Sequence, residues 1–360
     1  MKMKELNYYY NKFKFGEDIF HNLMQKQIKE ILLVSTFYDA FIFEQDGRLS
    51  EQIFGEYRQL NLSTAPRVTS VPSGKDALNK LEDNVYDLVI LMMRIGEIGP
   101  FELSKLIKKE HSDLPVLLLL NVHSDLLLIE NHASEMDCID DVFIWNGDTK
   151  LFLAMVKSVE DKLNVAYDTE IGLVRVILLV EDSVHYYSIF LPLLYSVIMR
   201  QTQRLIQEEL TDINKRLRMR ARPKVLLVHS YEEAIEVYEK YKDYIVGLIS
   251  DVKYSYNGRI ANDAGIRLIK TINRDQQDIP IILQSSETEN AKKAKELGVY
   301  FIDKNSKKLL HNLREFVIKN LGFGDLIFRD KDNREIARIA SLNDIKNVLE
   351  SLPDESLLYH

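Results

Sequence analysis

The sequence predicts an α/β protein built from two doubly wound, five-stranded parallel sheets in tandem, with a short hairpin and helix after them. Three observations support this fold class. Short, almost wholly apolar runs alternate with segments of helical periodicity, which is typical of parallel sheets covered by helices on both faces. This pattern starts near residue 28 and starts again near residue 172. The chain of 360 residues is long enough for two to three domains at about 150 residues each.

The composition is that of a globular protein in a reducing compartment. Apolar residues make up 46% of the chain, and the formal net charge of −8 argues against a general nucleic-acid binder. The single cysteine, Cys138, excludes a disulfide within the chain. The N-terminal residues lack the apolar core of a signal peptide, and the longest nearly apolar stretch, 189–199, is shorter than the roughly 20 residues that span a bilayer. We therefore expect a cytoplasmic protein that binds neither nucleic acid nor membrane.

The first unit is predicted over residues 28–165, after an N-terminal lead-in at 1–27. Its strands are short apolar runs, and they lie at 31–34, 66–71, 87–92, 114–120 and 142–145. Its helices show apolar residues one turn apart, and they lie within 37–60, at 73–81 with Ser73 as N-cap, at 100–110 and at 151–163. A linker is expected near 164–172.

The second unit is predicted over residues 172–322 and repeats the order of the first. Its strands lie at 174–180, 224–228, 244–250, 279–283 and 299–302. Its helices lie at 185–222, 231–241, 264–273, 290–297 and 309–320. The first helix is unusually long, and Pro192 marks either a kink or its true start. A connector at 323–360 follows, with a predicted hairpin and then a short helix from Ser341.

Polar side chains stand where the strands of the second unit end. Glu181 and Asp182 follow the first strand, Asp251 the third, Ser285 the fourth and Lys304 the fifth. Because the carboxyl ends of parallel strands meet at one edge of a sheet, we expect these side chains to converge. Any one of them alone is more simply explained as a solvated loop or a helix cap.

The chemistry of this set is coherent. Three carboxylates close together repel one another and favour a bound cation, and Mg²⁺ suits oxygen ligands that also engage a phosphate. Asp251 can attack a phosphorylated donor as a carboxylate nucleophile. Lys304 would offset charge on the transferring phosphoryl group, and Ser285 would hydrogen-bond the new phosphate and move its loop.

Four segments that carry these residues resemble the receiver domain of bacterial two-component response regulators. They are LLVED at 178–182, ISDV at 249–252, IPIILQSS at 279–286 and FIDKN at 301–305. The resemblance implies the flavodoxin-like strand order 2-1-3-4-5. It also implies that a histidine kinase or phosphotransfer protein phosphorylates Asp251.

The resemblance further implies a role for each residue near the acceptor. Asp182 and Asp251 would bind Mg²⁺ directly together with the backbone carbonyl of Lys253, and Glu181 would bind it through water. Phe301 falls at an aromatic switch position, although an apolar wall residue explains it equally well. Two features depart from the family: Asn305 replaces the usual proline after the lysine, and the first helix is lengthened.

The first unit shares the framework but not these residues. Its first strand runs into Ser35-Thr36, and Met92 or Met93 stands where the acceptor would be. Leu120-Asn121 replaces the serine, and Asn146 replaces the lysine. We therefore expect a pseudo-receiver that serves in packing or partner binding.

Two features of the long helix leave alternatives open. Its apolar residues could pack on the first unit or pair with a second copy as a homodimer. The basic run at 215–224 is either a patch for an anion, nucleic acid or acidic partner, or the solvated end of the helix, where cations also favour the helix dipole. We prefer the second interpretation of the basic run.

The sequence as a whole predicts a regulatory module rather than an enzyme, whose chemistry is limited to its own phosphorylation and dephosphorylation. It would regulate an attached or partner output domain. Segments 193–203, 323–330 and 355–360 resemble the N-terminal regulatory region of phosphoenolpyruvate synthase and pyruvate phosphate dikinase-like proteins. The rival hypotheses are an interaction scaffold without phosphorylation and a DNA-binding regulator, which would need a recognition helix that 322–360 does not offer.

Overall fold

The structure of the protein is a computed structural model. The residues that it describes are 19–36, 49–60, 62, 65–205, 219–275, 279–321, 326–329, 335–339 and 357–358. The chain divides into two compact units. The first comprises Lys26–Leu163 with Ser183–Ser196, and the second comprises Met1–Gln25, Asn164–Asp182 and Val197–His360.

The first unit contains a five-stranded parallel sheet. Its strands are β1 (Glu30–Val34), β2 (Arg67–Val71), β3 (Leu88–Met92), β4 (Val116–Leu120) and β5 (Asp141–Ile144). Their order in the sheet is β2-β1-β3-β4-β5. All residues of β3, β4 and β5 are buried, as expected for runs covered on both faces. The helices and 3₁₀ turns of this part of the chain are Leu49–Gln59, Gly74–Asp83, Pro100–Glu110, His123–Asp125, Leu126–Asn131 and Ala133–Cys138.

The second unit contains a sheet of the same design. Its strands are β6 (Val176–Val180), β7 (Lys224–Val228), β8 (Ile245–Asp251), β11 (Ile281–Ser285) and β12 (Tyr300–Asp303). Read from the edge strand β7, their order in the sheet is β7-β6-β8-β11-β12. Counted along the chain, this is again the order 2-1-3-4-5. The helices that follow its strands include Tyr231–Tyr241, Ala264–Asp275, Asn290–Glu296 and Leu309–Asn320. The predicted fold class, two tandem flavodoxin-like sheets, is therefore confirmed.

Two long helices differ from their predicted bounds. The helix Lys150–Gly172 includes the segment 164–172 that we predicted as a linker. The helix Val184–Leu205 starts eight residues before Pro192, which therefore lies inside it and does not mark its start. Residues 219–221 form a 3₁₀ turn rather than the end of this α-helix.

The first part of the helix Val184–Leu205 belongs to the first unit. The hydroxyl of Tyr187 donates to the carbonyl oxygen of Val142 at 2.5 Å, and Ser188 Oγ accepts from the N–H of Ile144 at 3.1 Å. Tyr187 and Ser188 therefore tie this part of the helix to the first unit, and pairing with a second copy stays a prediction.

The second unit contains a hairpin that the sequence analysis did not predict. Strands β9 (Tyr254–Tyr256) and β10 (Arg259–Ala261) pair in antiparallel fashion directly after β8. The turn between them is Asn257-Gly258, in which both residues have positive φ, at 51° and 71°. Asn-Gly is the usual sequence for such a two-residue turn, so a signal was present.

The connector contains the hairpin that the sequence predicts. Strand β13 (Leu326–Arg329) pairs antiparallel with β14 (Glu335–Ile339) and also with β15 (Leu357–Leu358). The helix predicted from Ser341 and most of the lead-in lie outside the described residues. In the part of the chain that the structure describes, no helix is both long and apolar enough to cross a membrane. The predicted domain boundaries stay a prediction.

Candidate functional site

Asp251 is the last residue of β8, at the carboxyl edge of the second sheet. The helix Ala264–Asp275 starts close to this point, since the N–H of Gly265 donates to the carbonyl oxygen of Val252 at 3.0 Å. A Cβ on Gly265 would overlap the carbonyl oxygen of Asp251, so glycine is needed for this close approach. The end of the strand is thereby fixed by the start of the next helix.

Three carboxylates meet at this edge. Glu181, Asp182 and Asp251 each offer one carboxylate oxygen, and these oxygens lie within 4.8 Å of one another. Among the described residues, this is the one group of three acidic, histidine or cysteine side chains found close enough to hold a metal ion. Glu181 is fully buried and Asp182 is half-buried. Burial, followed by the negative charge of Asp251, raises the pKa of Asp182 above its ordinary value.

Lys304 joins two of these carboxylates. Its Nζ lies 2.6 Å from Glu181 Oε2 and 2.7 Å from Asp251 Oδ2. Burial acts to lower the pKa of Lys304, but the charges of Glu181 and Asp251 outweigh burial and raise it above the ordinary lysine value. The side chain is therefore a charged ammonium held inside the site.

Ser285 is the last residue of β11, and its hydroxyl oxygen accepts two hydrogen bonds. Its Oγ accepts hydrogen bonds from the N–H of Glu287 at 3.1 Å and from Asn290 Nδ2 at 3.0 Å. The N–H of Lys304 donates to the carbonyl oxygen of Ser285 at 2.9 Å, which ties the two strand ends together. Because Oγ is an acceptor in both side-chain contacts, the hydroxyl proton remains available to donate to an anion.

Two residues that were not predicted, Ser250 and His229, contact the backbone of the site residues. Ser250 Oγ donates to the carbonyl oxygen of Asp251 at 2.7 Å and lies 3.3 Å from the hydroxyl of Tyr254. His229 Nδ1 lies 2.9 Å from the carbonyl oxygen of Glu181. Serine, tyrosine and histidine at single positions give no spacing that sequence reasoning could have used.

The remaining predicted site residues are placed around this centre. Phe301 is half-buried and packs against the core of the second unit, a position that fits either of its two interpretations. Lys253 is exposed and follows Asp251 by two residues. Asn305 donates from Nδ2 to the carbonyl oxygen of Ser286 at 2.9 Å.

Among the described residues, the matching edge of the first unit lacks the acidic cluster and the lysine. The last pairs are Val34 with Leu91 in the first sheet and Val180 with Ser250 in the second. The residues that follow correspond, Met92 to Asp251 and Ser35 to Glu181. Met92 is fully buried, and Ser35 Oγ lies 3.2 Å from Ser70 Oγ.

The lysine position of the first unit differs from the prediction. The N–H of Trp145 donates to the carbonyl oxygen of Leu120 at 2.8 Å, as that of Lys304 does to Ser285. Trp145 therefore occupies the lysine position, and the prediction that Asn146 does so is wrong by one residue. The reason is that β5 ends one residue earlier than the apolar run in the sequence suggests.

The described end of the basic run is used within the second unit. Lys224 Nζ lies 2.7 Å from Asp168 Oδ2, with both side chains fully buried. Arg220 donates to the carbonyl oxygen of His21 at 2.9 Å. These contacts favour a structural role for this part of the run, while residues 215–218 lie outside the described residues.

No family model and no curated protein matches the sequence. Among solved structures, the chain is similar to receiver domains. The response regulator TrrA of Thermotoga maritima, in complex with Mg(2+)-BeF, is 22% identical and is matched over 36% of this chain and 97% of its own, with a TM-score of 0.29.

Two further structures widen this comparison. The receiver domain of the sensor histidine kinase PA1611 from Pseudomonas aeruginosa PAO1, with a magnesium ion in its active-site cleft, is 18% identical over 36% of this chain and 94% of its own, with a TM-score of 0.27. A two-component response regulator/GGDEF domain protein is 15% identical over 81% of this chain and 98% of its own, with a TM-score of 0.33. At these identities the likeness concerns the fold alone.

Proposed function

We propose that the second unit is a receiver of two-component signalling that accepts a phosphoryl group on Asp251 and thereby regulates an attached or partner output. The observation that carries this proposal is the arrangement of Lys304 between Glu181 and Asp251, next to Asp182, at the carboxyl edge of a parallel sheet. An acceptor, a cation and an acidic cluster at one end of a sheet are the parts that phosphoryl transfer to a carboxylate requires.

The acidic cluster fits a magnesium ion. Its donors are all carboxylate oxygens, which Mg²⁺ prefers, and they lie close enough to share one ion. Burial, and after it the negative charge of Asp251, raise the pKa of Asp182, and a bound cation would favour its ionised form. Asp182 and Asp251 would hold the ion, with Glu181 acting through water and Lys253 through its backbone carbonyl. When bound, Mg²⁺ neutralises charge on the phosphoryl oxygens.

The chemical step involves one bond made and one broken. A carboxylate oxygen of Asp251 attacks the phosphorus atom of the donor, and the bond from phosphorus to the leaving group breaks with its electron pair going to that group. Asp251 thereby becomes an acyl phosphate. The Lys304 ammonium, now held by two carboxylates, is attracted to the phosphoryl oxygens, and the Ser285 hydroxyl donates its proton to one of them as a hydrogen bond.

The first unit is proposed to be a pseudo-receiver. Met92 has no nucleophilic oxygen, and Trp145 in place of lysine carries no charge to stabilise a phosphoryl group. Its role is structural or in partner binding, and the chain as a whole acts as a regulator rather than as an enzyme on other substrates.

The partners follow from the proposed reaction. A histidine kinase or a histidine phosphotransfer protein would supply the phosphoryl group. The output proposed from the sequence resemblance is a phosphoenolpyruvate synthase or pyruvate phosphate dikinase-like phosphotransferase, which would be tuned by the state of Asp251.

The experiment is to incubate the protein with acetyl phosphate and Mg²⁺ and to record its intact mass. We expect the wild type to gain one phosphoryl group and Asp251→Asn to gain none. Asp243→Asn, which changes an exposed aspartate of the same unit, is the matched control and should be labelled like the wild type. An unlabelled wild type, or equal labelling of Asp251→Asn, would show that the proposal is wrong.

A further inference from the structure

Gln284 lies next to the acceptor in the sheet. In the pairing of β11 with β8, Gln284 is directly across from Asp251, and in the pairing with β12 it is across from Ile302. Paired residues of neighbouring parallel strands point to the same face of the sheet, with backbones about 4.8 Å apart. The side chain of Gln284 therefore starts from the same face and the same row as that of Asp251.

The amide group of Gln284 is buried and has no partner. The residue is 0% exposed, and neither Oε1 nor Nε2 has a hydrogen-bond partner within the part of the chain that the structure describes. A buried amide without hydrogen bonds is unfavourable, and in native proteins each such group calls for a specific explanation. A glutamine side chain has three rotatable bonds, so its amide can reach a neighbour on the adjacent strand.

The first unit shows that the fold does not need an amide here. Leu119 is directly across from Met92, so it holds the position that Gln284 holds beside Asp251. It is fully buried, like Gln284. An apolar side chain therefore fills this place where the neighbouring strand ends in an apolar residue, and the amide occurs where it ends in the acceptor.

We propose that Gln284 is a positioning residue whose side-chain amide donates a hydrogen bond to the carboxyl group of Asp251 once that residue is phosphorylated. This inference rests on the proposed function. In the present state both oxygens of Asp251 are already engaged, Oδ1 by the N–H of Val252 at 2.7 Å and Oδ2 by Lys304 at 2.7 Å. There is no need for a third donor.

Phosphorylation changes this balance. The phosphoryl oxygens draw the Lys304 ammonium away from Asp251, and the carboxyl group loses a donor in the same step. Gln284 then supplies an N–H from the adjacent strand. Because its amide is unpaired before the reaction and paired after it, Gln284 favours the phosphorylated state over the unphosphorylated one, which is the differential interaction that a two-state switch requires.

The experiment compares three proteins by thermal unfolding, with and without beryllium fluoride and Mg²⁺ as a mimic of the phosphoryl group. Besides the wild type these are Gln284→Leu, the residue used in the first unit, and Tyr238→Phe as a matched control. The hydroxyl of Tyr238 is likewise buried and without a partner among the described residues, but it lies in the core cluster of Leu283, on the other face of the sheet.

Both substitutions remove an unpaired buried polar group, so both should raise the melting temperature without ligand. Only Gln284→Leu should reduce the further rise caused by beryllium fluoride and Mg²⁺. It should also shorten the lifetime of the acyl phosphate, by up to roughly tenfold, as expected for the loss of one hydrogen bond. If Gln284→Leu fails to fold, Gln284→Met, which keeps the length of the side chain without a donor, replaces it.

The outcomes separate the two proposals. Beryllium fluoride and Mg²⁺ could raise the melting temperature of Gln284→Leu as much as that of the wild type, with an unchanged lifetime of the acyl phosphate. This result would overturn the inference and leave the proposed function intact. A wild type that neither responds to beryllium fluoride nor takes up a phosphoryl group would overturn both.

Discussion

The two sheets share one strand order but end differently at their carboxyl edges. In the first unit the row is made of Ser35, Met92 and Leu119, and in the second the corresponding residues are Glu181, Asp251 and Gln284. The first row shows that the same sheet occurs with no charge in these places. The buried charges of the second row are unfavourable for folding unless they are paired, and Lys304 pairs with both of them.

The largest expected effect comes from removing the Lys304 ammonium at the carboxyl edge of the second sheet. Lys304→Met should lower the free energy of unfolding of the second unit by about 3–5 kcal/mol, because Glu181 and Asp251 would remain buried without a counter-charge. Urea unfolding monitored by hydrogen exchange in each unit measures this loss. Added Mg²⁺ should restore part of it.

The control for this variant is Lys319→Met. Lys319 pairs with Glu315 at 2.7 Å, but the two side chains are 69% and 38% exposed. Such an exposed pair contributes less than about 1 kcal/mol. Equal losses in the two variants would contradict the view that the buried edge is electrostatically special.

The second effect separates the two units by their response to metal. Mg²⁺ at about 100 times its dissociation constant should stabilise the second unit by roughly 2.7 kcal/mol, by mass action, and removing it with a chelator should reverse this. Amide protection in β8 should rise while that in β3 stays constant. Protection that rises equally in both strands would mean that Mg²⁺ does not act at the acidic cluster.

A third test compares how much the same helix cap contributes to the stability of each unit. Ser73 and Ser230 each cap the helix after the second strand of their unit, and each accepts from the N–H three residues on at 3.2 Å. Ser73→Ala and Ser230→Ala should each cost about 1 kcal/mol. A clear inequality would show that the shared framework is not energetically equivalent in the two units.

The smallest effect concerns the half-buried carboxyl group. Because the pKa of Asp182 is higher in the folded than in the unfolded state, the folded state binds its proton more tightly, and stability falls as pH rises from the unfolded value near 3.8 through the folded one. Without Mg²⁺, Asp182→Asn should lack this decline, while Asp243→Asn keeps it. A denaturation series across this pH range measures the difference.

The sequence was sufficient to predict which residues at the strand ends lie close together. Asp251 and Lys304 could be paired because apolar runs identify the strands and a parallel sheet brings their carboxyl ends to one edge. It was insufficient where one residue of register decides the outcome, as with Trp145 and Asn146, because a shift of one position leaves the composition of the run unchanged.

Buried polar residues also misled the sequence interpretation. Asn164–Gly172 was predicted as a linker between the two units, yet Asp168 is fully buried and pairs with Lys224. The partner of Asp168 is 56 residues away in the sequence, and no local pattern reveals such a partner.

The division of the chain has a consequence for its synthesis. Ser183–Ser196 belongs to the first unit, although β6 of the second unit precedes it. On the ribosome, at about 5–20 residues per second, the first unit would wait some seconds after Leu163 has emerged before Tyr187 arrives to bond with Val142. A nascent chain that stops short of this point leaves the first unit unfinished, and the ribosome has by then already delivered the first strand of the second.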